Sequence, residues 1–148
     1  MTAEFVKLDS LKGFDDEFLN ALGELEQKVF ESYAKFWDRD GTEMTDNQIT
    51  MCEEFKMNFG YSTKGKKYLK LVVGAFDIGN HCQTSVWGFI AKQDFKVKNK
   101  KKSGGEFIEF KEGDLLMSAG WNTPTLNAPR GNIFNEEYNV AWTGPEYL

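Results

Sequence analysis

From Leu11 onward the apolar residues fall at 11, 14, 18, 22, 25, 29, 33 and 36, steps of three or four that place them on one stripe of a helix. At Phe55 the spacing changes. Phe55, Met57, Phe59 and Tyr61 alternate with Lys56, Asn58, Gly60 and Ser62, the two-residue period of a half-buried strand. A chain that is helical first and strand-forming afterwards must segregate its layers, so the expected class is α+β. One long and one short N-terminal helix should pack on a bent antiparallel β-sheet or partial barrel of five to seven strands. The 148 residues, 41% of them apolar, suit a single domain, with residues 1–54 as the helical layer and 55–148 as the sheet layer.

Local signals fill in the order. Phe5, Val6 and Leu8 read as an edge strand or a packed tail. Asp15, Asp16 and Glu17 suit the positive end of the long helix, and Gly41 supplies its stop. Aligning Gly41 with the glycine of a calcium loop leaves Phe36 at the first ligand position and Asn47 at the twelfth, so a calcium site is rejected. Thr45 and Gln48 form instead the capping box of a short helix expected to carry Ile49 and Cys52 inward. After the strand at Phe55, a turn near Gly65 leads to Tyr68–Val73, together a hairpin. Thr84–Ala91 follows as a central strand, apolar on both faces. Phe95–Lys98 and Glu106–Phe110 flank a lysine-rich loop, Met117 ends the next strand, and Tyr138–Trp142 is expected to close the sheet.

The segment Gly113–Phe134, GDLLMSAGWNTPTLNAPRGNIF, is the least regular. It holds two of the three prolines and one of the two arginines, and its backbone is expected to find few ladder partners, leaving side chains to fix it. Trp121 offers a stacking face and Arg130 a bidentate fork for phosphate or carboxylate. Asn122, Asn127 and Asn132 add amides, and Gly131 permits close backbone approach. The competing reading, which the residues favour, is a structural plug, with Trp121 wedged under a proline-rich crossover and Arg130 tying down loop carbonyls.

Net charge is −5, but it is segregated. Residues 1–63 carry six basic and fourteen acidic side chains, whereas residues 64–102 carry ten lysines against Asp77 and Asp94. Lys64, Lys66, Lys67 and Lys70, with Lys98, Lys100, Lys101 and Lys102, form a candidate anion or nucleic-acid patch, interleaved with Tyr68, Trp87 and Phe89. The alternative is that these rings are core and the lysines solubilising. Catalytic signals are scarce. His81 is the only histidine, Cys52 and Cys82 are isolated, and no phosphate-binding glycine loop occurs, so no enzyme, cofactor or metal is expected. The N-terminus lacks the layout of a signal peptide and no run is apolar enough to cross a bilayer, so the cytosol is the expected compartment.

KKYLKLVV (66–73), SVWGFIAK (85–92), the W-x-x-P…R-G-N arrangement from Trp121 to Asn132 and the closing VAWTGPEYL resemble a family of small, mostly uncharacterised accessory proteins of tailed bacteriophages. The match covers roughly residues 64–148. Gly120 stands where that pattern has Ser or Thr, and the lysine-rich stretch at 98–105 is unusual for it. The resemblance implies a viral accessory protein acting in the host cytoplasm. It carries no assigned activity. The expectation is a non-enzymatic binder of a nucleotide-like or nucleic-acid anion, with sequestration of a host defence signal as one use. The alternatives are a protein–protein inhibitor of a host enzyme acting through the acidic face at Glu24 and Glu31, or a virion component.

Overall fold

A computed structural model describes residues 5–37, 44–62, 64–65, 67–76, 84–98, 107–126, 129–135 and 138–145. The long helix, α1 (Asp16–Trp37), begins later than the apolar stripe does. Gly13 takes a positive φ of 89°, and the Asp15 carboxylate accepts the Phe18 N–H at 2.9 Å, which caps the first turn there. Leu11 and Phe14 therefore precede the helix, though they still pack on its core. The predicted stop at Gly41 lies outside the described residues.

Thr45 caps α2 (Asp46–Met57) with the expected capping box, its hydroxyl accepting Gln48 N–H while Gln48 returns to the Thr45 N–H. The helix then runs through Phe55 and Met57, where a strand was predicted. Cys52 and Phe55 are three apart and both buried, whereas Met57 is 50% exposed, so the period of two arose where the end of a helix, Phe55 and Met57, runs on into Phe59 and the strand residue Tyr61. Ile49, expected inside, is 42% exposed. Two groups absent from the helix itself terminate it. Lys7 Nζ donates to the Lys56 and Phe59 carbonyls at 2.6 and 3.0 Å, and the buried Asn58 amide donates to Glu54 O at 2.9 Å.

The main sheet has five strands in the order β1 (Phe5–Val6), β2 (Gly60–Ser62), β3 (Tyr68–Val73), β4 (Ser85–Ala91) and β7 (Leu115–Leu116), each antiparallel to its neighbour. It is open rather than a closed barrel. One face receives α1. Leu22, Leu25 and Val29 join Phe59, Tyr61, Leu71, Trp87, Leu115 and Ile133 in one core, each buried aliphatic side chain contributing about 1.5–3 kcal/mol. The other face is covered by a separate hairpin, β5 (Phe95–Lys98) with β6 (Phe107–Phe110). Phe110 packs there on Phe89 and Leu116. Burial on both faces explains why β4 has no polar side chain from Val86 to Ala91.

The C-terminal strand does not close the sheet. β8 (Val140–Ala141) turns back on β9 (Gly144–Pro145) as its own hairpin, fixed to the core because Trp87 Nε1 donates to Ala141 O at 2.9 Å. No helix among the described residues is long and apolar enough to cross a membrane.

Candidate functional site

The irregular segment is more ordered by its own backbone than its composition suggests. Leu115 and Arg130 exchange main-chain bonds across it, Leu115 N–H to Gly131 O and Arg130 N–H to Leu115 O, both at 2.7 Å. Thr125 N–H reaches Met117 O at 2.7 Å and Ala119 N–H reaches Thr123 O at 2.8 Å. The segment is thus a long, distorted hairpin grown from β7, with Trp121 and Asn122 at its tip and Arg130 and Asn132 at its base. Ladder bonds, rather than side chains alone, hold it.

That geometry divides the predicted ligand set. At the base, the Asn132 side-chain amide donates to Glu112 O at 2.9 Å and to Asp114 Oδ1 at 3.0 Å, and its oxygen accepts the Phe134 N–H at 2.8 Å. Asn132 is committed to the chain. Arg130 is half-buried and already interacts within the protein. Gly131, at φ 128°, permits a close approach of the kind expected, but to Tyr138, whose Cβ lies 2.6 Å from where a Gly131 Cβ would stand. Asn127 lies outside the described residues.

The tip is different. Phe5 pairs with Ser62, Lys70 with Phe89, and Phe89 with Leu116, so these side chains share the sheet face away from α1. Lys70 is only 6% exposed there. Its ammonium sits 4.2 Å from the centre of the Trp121 ring and donates to Asn122 Oδ1 at 2.6 Å. Trp121 also meets Phe5 edge-on, with ring centres 6.2 Å apart. Yet Trp121 remains 43% exposed, whereas Trp87 is 2% exposed. The result is an exposed indole braced from beneath by a buried, fixed cation.

Of the lysine patch, Lys64 is exposed near the start of β3 and Lys67 lies 4.2 Å from the Phe95 ring centre. Lys98 ends β5, while Lys66, Lys100, Lys101 and Lys102 lie outside the described residues, as do His81 and Cys82. The rings that would stack bases along the sheet are not offered to solvent. Trp87 and Phe89 are core, and Tyr68 is half-buried against Phe89 and Phe95. Glu24 and Glu31 stand exposed on α1, with Glu31 accepting from Gln27 at 3.4 Å.

The sequence marked Lys70 as one member of the lysine patch, not as the cation that organises the hairpin tip. What was missing was the loop that covers it. Among the described residues no group of three or more His, Cys, Asp or Glu side chains is placed to hold a metal ion. Comparisons with protein-family models, with curated proteins and with solved structures give no match to this chain.

Proposed function

We propose that this chain is a non-enzymatic binding protein for a nucleotide-like or nucleic-acid anion, with Trp121 and Asn122 as the contact, Lys70 holding both from beneath and Lys67 adding charge before β3. The observation that supports this reading is the exposure of Trp121. A large aromatic that is braced by an ammonium and a phenyl ring, and still presented at the tip of a hairpin, offers a base a flat partner at little ordering cost. Arg130 and Asn132 support the hairpin from its base. The likeness of residues 64–148 to phage accessory proteins supports a setting inside an infected bacterium, where capture of a soluble nucleotide signal is one use for such binding.

Thermal unfolding in the presence of mononucleotides, cyclic and linear dinucleotides and short single-stranded oligonucleotides tests this. At ligand concentrations well above Kd the melting point rises, and the rise disappears in Trp121→Ala. The absence of a shift with every member of the panel overturns the proposal, as does an undiminished shift in Trp121→Ala.

A further inference from the structure

On the helix side of the sheet, away from Trp121, the residues leading into α1 lean over the end where β3 begins and β4 stops. They enclose a cleft of about 730 Å³. Val6, Leu11, Phe14 and Leu69 give it an apolar wall, and Leu11, Phe14 and Leu69 belong to the helix-side core. Its size falls in the range of sites for small organic ligands.

The cleft also contains a positioned cation. Lys92 Nζ donates to Gly65 O at 3.2 Å and lies 5.3 Å from the Phe14 ring centre. An ammonium has three N–H donors, and that bond takes one of them. Lys12 lies exposed in the lining, and Lys64 is exposed immediately before Gly65. Among the described residues neither Lys12 nor Lys92 forms an ion pair. Asp9 is the acidic group of the lining, and it accepts the Ser10 hydroxyl at 3.4 Å.

An apolar wall with a fixed ammonium at one side selects against both a neutral apolar molecule and a fully hydrated ion. The first leaves the charge unused, and the second leaves the wall wet. We propose that this cleft binds a small organic anion with an apolar body, its carboxylate or phosphate head at Lys92 and its ring or chain against Phe14 and Leu69. The site is separate from the Trp121 hairpin and does not depend on it.

NMR titration of the full chain tests the proposal with three probes: 4-phenylbutyrate, its neutral analogue 4-phenylbutan-1-ol, and phenyl phosphate. Saturable shifts at Leu11, Phe14 and Leu69 are expected from the acid, with the alcohol at least about tenfold weaker and the difference shrinking as salt is added. Lys92→Gln brings the acid down to the alcohol, and Lys92→Arg keeps the preference. Phenyl phosphate binding tighter than the butyrate assigns a phosphate head, and the reverse order a carboxylate. Should Lys92→Gln fail to fold, Lys12→Gln, at an exposed position, must still lower affinity for the acid. Equal binding of acid and alcohol, shifts confined to Trp121 and Asn122, or no saturable shift at all overturns it.

Discussion

The Lys70 ammonium lies 4.2 Å from the centre of the Trp121 ring, a lysine of the sheet facing a tryptophan of the loop. The pair joins the tip of the 113–134 hairpin to β3, and Asn122 reinforces it from the same loop. Removing the cation therefore loosens the tip without disturbing the base of the hairpin. Lys70→Met keeps most of the buried stem and loses the charge. It is expected to cost about 1–2 kcal/mol in urea unfolding and to increase acrylamide quenching of Trp121, measured as the difference from the same variant in a Trp121→Phe background.

Asn58 carries two duties that a hydrophobic replacement cannot. Its amide caps α2 through Glu54 O, and its side-chain oxygen accepts the Phe76 N–H at 3.3 Å just beyond β3. The residue is fully buried. Asn58→Leu leaves a helix-end carbonyl and a backbone N–H without those partners, with an expected loss of about 2–4 kcal/mol by equilibrium unfolding.

Tyr138 is buried, and among the described residues its hydroxyl has no hydrogen-bond partner, while Lys28 sits 3.7 Å from its ring centre. Tyr138→Phe keeps the ring and removes the orphan. Stability at neutral pH is expected to rise by about 1 kcal/mol. Burial, aided by the charge of Glu24, pushes the Tyr138 phenol up to about 12. A phenol that holds its proton more tightly when folded contributes fully below its ordinary value of 10.0 and loses that contribution as the pH climbs toward about 12. Tyr61 is shifted in the same direction by its own burial and by Glu26. The melting point should therefore fall between pH 10 and 12, and fall less steeply in Tyr138→Phe.

Gly131 and Gly120 predict opposite outcomes within one hairpin. An added Cβ at Gly131 would meet Tyr138 Cβ at 2.6 Å and hold a φ of 128°. Gly131→Ala should cost roughly 2–4 kcal/mol by denaturant unfolding. At Gly120 the nearest atom is Thr123 Cβ at 4.0 Å. Gly120→Ser should change stability by less than about 0.5 kcal/mol.

The long helix, the capping box at Thr45 and strands β3 and β4 were readable because each carries its signal in a local run of residue types, although β3 and β4 pair across the chain. The end of α2 was not. Phe55 and Phe59 fit a period of two and a spacing of four equally, and the choice is made by Lys7 and Asn58, which reach the helix end from outside its pattern. The closing hairpin was misplaced for a similar reason, since Trp87 and Ser32 anchor Ala141 and Trp142 from distant parts of the chain. In the candidate site, composition identified Trp121 and Asn122 but grouped them with Arg130 and Asn132. Only the ladder between Leu115 and Arg130 shows that these lie at opposite ends of the hairpin.

Because the hairpin closes on itself between Met117 and Thr125, Gly120 and Thr123, exposed positions that do not touch Lys70, bear little of the fold's weight. Substitutions there can rewrite the chemistry displayed beside Trp121 while the β-sheet beneath stays as it is. A molecule built this way can vary one corner in small steps, keeping the same frame behind each new face.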